Sequence, residues 1–228
     1  MSSDSALILG AVAYDPTVVS IWEGFKTFSQ LKGLPFDVVL YTNYERQVNA
    51  LMDGHITVAW NSPLAWVRTR RLAESAGLIA NALAMRDSDQ DLTSLILSRS
   101  DGAIRSIADL SGKTIATGAI DSPQATLLPL NHLRNHGIVV GKNAQIKRFD
   151  VLVGKHGDHI GGEREAVRAL MRGEVDAACI IDSNHLLFTN EGTLSPGNTR
   201  IITQTAPYDH CNFTSISKVG GQIGRAHV

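Results

Sequence analysis

Strand-like and helix-like segments alternate from residue 6 to residue 205, and that alternation restricts the fold of this chain more than any single motif does. A short apolar run followed by an amphipathic stretch, repeated many times, is what a mostly parallel sheet with helices on its faces requires. The first strand is predicted within Ala6–Val12. Asp15-Pro16 then signals a helix start, with Asp as cap and Pro in the first turn. Val18, Val19, Trp22, Phe25 and Phe28 follow at helical spacing, and Gly33 can close the helix. Phe36–Tyr41 reads as a buried strand, Tyr44–Asp53 as a short helix and Ile56–Trp60 as a strand. Asn61-Ser62-Pro63 opens a helix towards Ala73, and strands are predicted again at Leu78–Met85 and Leu92–Ser98.

From Ser100 the pattern begins again. Thr114–Ala116 reads as a strand, and Asp121-Ser122-Pro123 starts a helix that runs through Leu127, Leu130 and Leu133. A strand around Ile146–Val153 precedes a Gly-rich loop; Glu163–Arg172 reads as a helix and Ala177–Ile181 as a buried strand. Ser183-Asn184 can cap another helix, and Ile201–Thr205 is the last clear strand. The segments Ala50–Ala59 and Ala169–Ala178 echo each other, each passing from a helix end through a Gly stop into a strand. The expectation is two related α/β lobes.

Charge narrows the function classes. The 21 Lys+Arg balance 22 Asp+Glu, so the chain has no overall basic field and nucleic acid is not an expected partner. No apolar run is long enough to span a bilayer, so direct membrane insertion is not expected either. Met1–Ser5 lacks a basic n-region and a long apolar h-region, which predicts no secretory signal in this chain. At the other end, Ile223–Val228 matches read-through of a common sequencing adapter; taken as a scar, it implies that the natural protein continues beyond about Gln222. Cys179 and Cys211 form no disulfide framework, and Cys179 sits in an apolar run as a small buried residue.

Four helix starts are predicted at the carboxyl ends of strands: Tyr14-Asp15-Pro16, Asn61-Ser62-Pro63, Asp121-Ser122-Pro123 and Asp182-Ser183-Asn184. Open α/β sheets bind ligands in that crevice. Helix N-termini offer unpaired N–H groups and the positive end of the macrodipole, so they hold phosphate-like or carboxylate groups without a Lys or Arg. Plain capping accounts for Asp, Ser and Asn at any one of them; their joint placement in both halves favours a small anionic ligand. A competing constellation is His156, His159, His210 and Cys211, residue types that hold zinc and, with an open coordination position, support hydrolysis. It defines the alternative reading, a cytoplasmic ligand sensor or metal-dependent enzyme. His-x-x-His without a fixed helix is a weak signal, however, and there is no G-x-S-x-G, P-loop or G-x-G-x-x-G. No catalytic residue, metal or cofactor is therefore assigned, and His55, His132 and His136 read as solvated helix or turn residues.

The string Thr117–Pro129 resembles the loop of phosphonate-binding proteins in which a Ser/Thr-rich segment opens a helix two turns before a Pro. Phe149–His156 is similar to that family's strand ending in Gly-x-His, and Ala166-Val167 through Gly173–Ala178 to its following segment; Ala206-Pro207-Tyr208 resembles the return crossing. The resemblance is to the substrate-binding components of phosphonate/phosphate-type ABC importers, and it extends to about Phe213. It implies a type II periplasmic-binding fold of two Rossmann-like lobes, one from residues 1–93 with 206–222 and the other from 94–205. Closure would be a hinge motion at the crossing strands near Leu92–Ser98 and Ile201–Thr205; the scar reading makes the fold C-terminally truncated. It further implies a non-catalytic function, an ABC transporter permease as partner, and a periplasmic or membrane-associated location; a genuine signal-less start would instead place the chain in the cytoplasm. Carried over residue by residue, Ser122 matches the first hydroxyl of the loop and His156 the loop histidine. Asp182 lies where the family can place a carboxylate for an ammonium group, and Tyr14, Asn61 and Ser62 are first-lobe candidates. Pro123 and Gln124 stand where phosphonate binders carry further hydroxyls. With Gln124 kept in the ligand set, the expected ligand widens to a zwitterion or a small organic acid.

Overall fold

The computed structural model describes residues 6–151, 153–155 and 161–218; His156, His159 and the 223–228 string lie outside the described residues. Two compact units result, one built from the chain up to Gln90 and again from His210, the other from Asp91–Asp209. No helix among the described residues is long and apolar enough to cross a membrane.

The first unit contains β1 (Leu7–Val12), α1 (Thr17–Leu31), β2 (Phe36–Tyr41), α2 (Tyr44–Met52), β3 (Val58–Asn61), α3 (Pro63–Ser75) and β4 (Leu78–Ala84). Its sheet runs β2-β1-β3-β10-β4, and the fourth position is filled from the far end of the chain by β10 (Asn212–Lys218). β1 pairs in parallel with β2 and β3, whereas β10 is antiparallel to both its neighbours. Strand alternation sorts the core into two faces. Leu9, Ala11, Val58 and Trp60 pack with Val18 and Trp22 of α1, while Val12 packs with Tyr44 and Val48 of α2 and Ala65 of α3. Gly10 points to the α2 side, where an added Cβ would lie 2.3 Å from Ile56 Cδ1, so a glycine lets that helix layer approach closely.

The second unit contains β5 (Ser94–Arg99), β6 (Thr114–Thr117), α4 (Leu128–Asn135), β7 (Gln145–Arg148), α5 (Gly161–Met171), β8 (Ala177–Ile181), α6 (Asp182–Asn190) and β9 (Thr199–Gln204). Its sheet runs β7-β6-β8-β5-β9, with β6 parallel to β7 and β8, and β5 antiparallel to β8 and β9. Alternation again divides the core. Leu95, Leu97, Ala178 and Ile180 face the α5 and α6 side, while Ile96, Ile115, Ala177 and Cys179 face Leu133 of α4. Full burial pushes the Cys179 thiol up to about 12, in keeping with a packing residue.

The two sheets are topologically equivalent. Each has three parallel strands in the order second-first-third, then an antiparallel strand, then the last. The echoed segments noted above fall on α2–β3 and α5–β8, the same step in each unit. Where the chain passes between units, Leu92 and Tyr208 form an antiparallel bridge through N–H···O bonds of 3.0 and 2.8 Å.

Five expectations need correction. β2, expected as a buried strand, is the edge strand of its sheet and mixes half-buried with exposed residues. Ser183-Asn184, expected as a cap, lie inside the first turn of α6, which begins at Asp182. The strand predicted over Ile146–Val153 stops at Arg148, because Asp150 turns back to accept the Ile120 N–H at 3.0 Å. The helix predicted from Ser122 begins as a π turn over Pro123–Leu127 before α4. His132 is half-buried rather than solvated: its Nε2 lies 2.9 Å from Thr203 Oγ1. β10 lies beyond the last strand predicted.

Candidate ligand-binding site

Sheet order decides where a site can form. In the first unit the chain leaves β1 towards β2 on one side and reaches β3 on the other, so the connections after β1 and β3 diverge. The same reversal separates the connections after β6 and β8 in the second unit. A crevice opens at such a switch point, at the carboxyl ends of the strands. Tyr14 follows β1, Asn61 ends β3 and Ser62 follows it; Ser122 and Gln124 follow β6, and Asp182 follows β8. All six described candidates therefore stand at a switch point.

Their side chains differ in what they already do. Asn61 is fully buried: its Oδ1 accepts from Gln47 Nε2 at 2.9 Å and its Nδ2 donates to Thr69 Oγ1 at 3.1 Å. Gln47 Nε2 also donates to Trp60 O at 2.9 Å, so this network fixes the β3–α3 junction. Ser62 caps α3 by accepting the Ala65 N–H at 3.2 Å, with Pro63 as the first helical residue. Ser122 repeats that construction on Ala125, also at 3.2 Å, with Pro123 next. Asp15 accepts the Thr17 hydroxyl at 2.5 Å and the Thr17 N–H at 2.8 Å, which hold its carboxyl below the usual range. Tyr14 is partly exposed and lines an apolar hollow with Trp22, Phe25, Trp60 and Phe213.

Asp182 is the most committed of the set. Its carboxylate accepts from Thr93 N at 3.0 Å, Thr93 Oγ1 at 2.9 Å and Ser183 N at 2.7 Å. Those bonds tie the start of α6 to the crossing segment before β5. Gln124 is fully buried; its backbone carbonyl accepts from Ser94 Oγ at 2.6 Å, and Ser94 Oγ lies 2.9 Å from the Tyr208 hydroxyl. Burial pushes the Tyr208 phenol well above its ordinary range, against the smaller effect of Ser94.

The loop after β6 is closely built. Gly118 and Gly162 meet there: a Cβ on Gly162 would stand 2.8 Å from Phe149 O and 3.4 Å from Gly118 Cα. Asp121 Oδ2 accepts the Gly154 N–H at 2.6 Å. These contacts tie the loop that carries Ser122 to the segments after β7 and at the start of α5.

Sequence reasoning missed three groups at these edges. Arg86 follows β4 and also lines the hollow, its guanidinium 5.0 Å from the Trp60 ring centroid; it forms a bidentate pair with buried Asp89, at 2.5 and 3.0 Å. That bond raises the Arg86 pKa further. Glu163 in α5 is fully buried, its Oε2 accepting from Ile181 N at 2.8 Å and Asn184 Nδ2 at 2.9 Å. Ser94 and Tyr208, on the antiparallel side of the edge, complete the list. Apart from Tyr208, which lies in the return crossing noted above, none carries a motif; the sheet order brings them to the strand ends. Of the alternative metal set, His210 and Cys211 are buried side by side in the first unit and are joined there by Asp89.

Two α/β units of this strand order, each with a switch point and an antiparallel fourth strand, define the type II periplasmic-binding class of solute-binding proteins. Solved structures share the fold: a Xanthomonas citri protein with bound chloride is 17% identical with a TM-score of 0.65, over 95% of this chain and 79% of that one. PhnD1 from Prochlorococcus marinus, solved with methylphosphonate, is 18% identical with a TM-score of 0.60, over 93% and 77%. The periplasmic aliphatic sulphonate binding protein SsuA from Escherichia coli is 17% identical with a TM-score of 0.57, over 93% and 65%. The chain belongs to the family of periplasmic substrate-binding proteins of phosphonate ABC transporters, which matches residues 15–217.

Proposed function

We propose that the chain is a non-catalytic solute-binding component that captures a small anionic or zwitterionic organic acid, of phosphonate or sulfonate type, for an ABC permease in the periplasm. The observation that carries this reading is the placement of Tyr14, Asn61, Ser62, Ser122, Gln124 and Asp182 at the switch points of two equivalent sheets. Ser122 and its Pro-opened turn would present backbone N–H groups to the anion. Tyr14 and the aromatic hollow would take an organic substituent. Asn61 and Asp182 would act chiefly by holding their helix starts in place, since both side chains are already bonded. His156 would act as the loop histidine, as the family resemblance implies.

A thermal-shift series with inorganic phosphate, methylphosphonate, aminoethylphosphonate, a short alkanesulfonate and acetate tests it. At one hundred times its Kd a ligand stabilises the folded state by about 2.7 kcal/mol. A phosphonate or sulfonate should therefore raise the melting temperature, and the rise should disappear in S122A while the variant's far-UV spectrum stays native. A flat response to every anion overturns the reading.

A further inference from the structure

Asp89, His210 and Cys211 are 2%, 4% and 5% exposed, and one ligand atom from each lies within 4.8 Å of the other two. His210 Nδ1 is 3.0 Å from Cys211 Sγ and 3.7 Å from Asp89 Oδ1. We propose that these three side chains form a binding site for one zinc ion, with Arg86 shared between it and the aromatic hollow. Thiolate, imidazole and carboxylate are the three ligand types zinc takes, at bond lengths of about 2.0–2.3 Å, which set tetrahedral donor atoms roughly 3.3–3.7 Å apart. The Nδ1–Sγ pair is closer than that spacing, the Nδ1–Oδ1 pair stands at its upper end and every pair lies within 4.8 Å, so the three side chains reach the ion by local adjustment.

The backbone holds the donors in register before any metal arrives. His210 N–H donates to Asp89 O at 2.8 Å, bringing residues from the two ends of the first unit together. The carboxylate is oriented by Arg86, which takes one bond to each oxygen and leaves acceptor capacity on both. Such outer partners fix a ligand's orientation in metal sites generally. Two anionic ligands and one guanidinium around a dication leave one positive charge over, so the fourth coordination position suits water or an anion. The ion would lie where the chain first leaves the unit and where it returns, Asp89 before one crossing and His210-Cys211 after the other. Zinc would therefore join two segments that the sequence keeps far apart.

The test uses the full chain stripped of metal with a chelator, then titrated with Co²⁺ or Zn²⁺ alone. Cobalt should give a thiolate charge-transfer band that saturates at one equivalent, with the visible bands of four-coordination. Cys211→Ser should abolish the charge-transfer band. Asp89→Asn and His210→Ala should weaken zinc binding on the order of a hundredfold or more, since loss of an outer partner alone costs about 10–100-fold. The His136→Ala variant, at an exposed histidine of the second unit, should bind zinc as the native chain does. X-ray absorption of the zinc-loaded native protein needs no variant, and should read one sulfur among lighter neighbours. A shell without sulfur, no band at one equivalent, or a band that survives Cys211→Ser overturns the site.

Discussion

The two units share a strand order yet differ in how completely their helices cover the sheet. In the second unit α5 buries Ala166, Val167, Ala169 and Leu170 completely, and Phe188 of α6 is fully buried against them. In the first unit α1 commits only Val18 and Trp22 to the core, and leaves Phe28 60% and Leu31 81% exposed. Ile79 and Leu83 of β4 are also exposed. One topology thus supports both a densely packed unit and one with much apolar surface in water. Topology sets where a site forms, while side-chain burial sets how firmly the scaffold behind it is held.

The sharpest break in that contrast comes from two phenylalanines. Phe188→Ala empties a closed core and should cost about 3–5 kcal/mol in urea unfolding. Phe28→Ala removes an exposed ring and should stay within about 0.5 kcal/mol. Equal losses would mean that the units are packed alike. The serine caps should instead make the units look the same, because both bonds are 3.2 Å long and both precede a proline. Ser62→Ala and Ser122→Ala should each cost about 1 kcal/mol; a difference larger than that would show one turn to be held by more than its cap.

The smallest effect is acid sensitivity. Glu191, bonded first by Arg164 and then by Thr193, and Glu174, bonded by Arg172 and Lys147, are each held down at about 2. Both lie in the second unit. A depressed carboxylate stabilises the fold above its unfolded value of about 4.3, and that stabilisation is lost as pH falls through the folded value. NMR titration should find Glu191 still ionised near pH 3, and Arg164→Ala should return it towards the ordinary range. Ordinary titration with Arg164 present would show that this pair does not hold the carboxylate down.

Much of the scaffold was legible because its elements carry strong periodic patterns. Phe36–Tyr41 and Ala177–Ile181 are short apolar runs closed by turns, and both strands take the predicted bounds. β10 escaped because its buried positions include Asn212 and Thr214, polar residues that an apolar alternation cannot reveal. At the site, Ser62 and Ser122 were readable because Ser-Pro at a helix start has a local cause. Arg86 and Glu163 were not, since Arg86 reaches the hollow through its contact with Trp60 and Glu163 bonds Ile181 and Asn184, partners distant in sequence. Asn61 was found at the right edge, but its internal bonds to Gln47 and Thr69 depend on a helix–strand contact that no local pattern encodes.

The antiparallel strand β10 bears on the order in which this chain can fold. As the polypeptide is made from its N-terminus, the second unit is complete in one continuous stretch, while the first sheet still has a gap between β3 and β4. Closing that gap across a disordered chain would carry a large loop-entropy cost. Once the second unit has folded, however, the Leu92–Tyr208 bridge holds the ends of the intervening chain side by side. The late strand then has only a short distance to travel, and the finished second unit serves as the tether on which the first is completed.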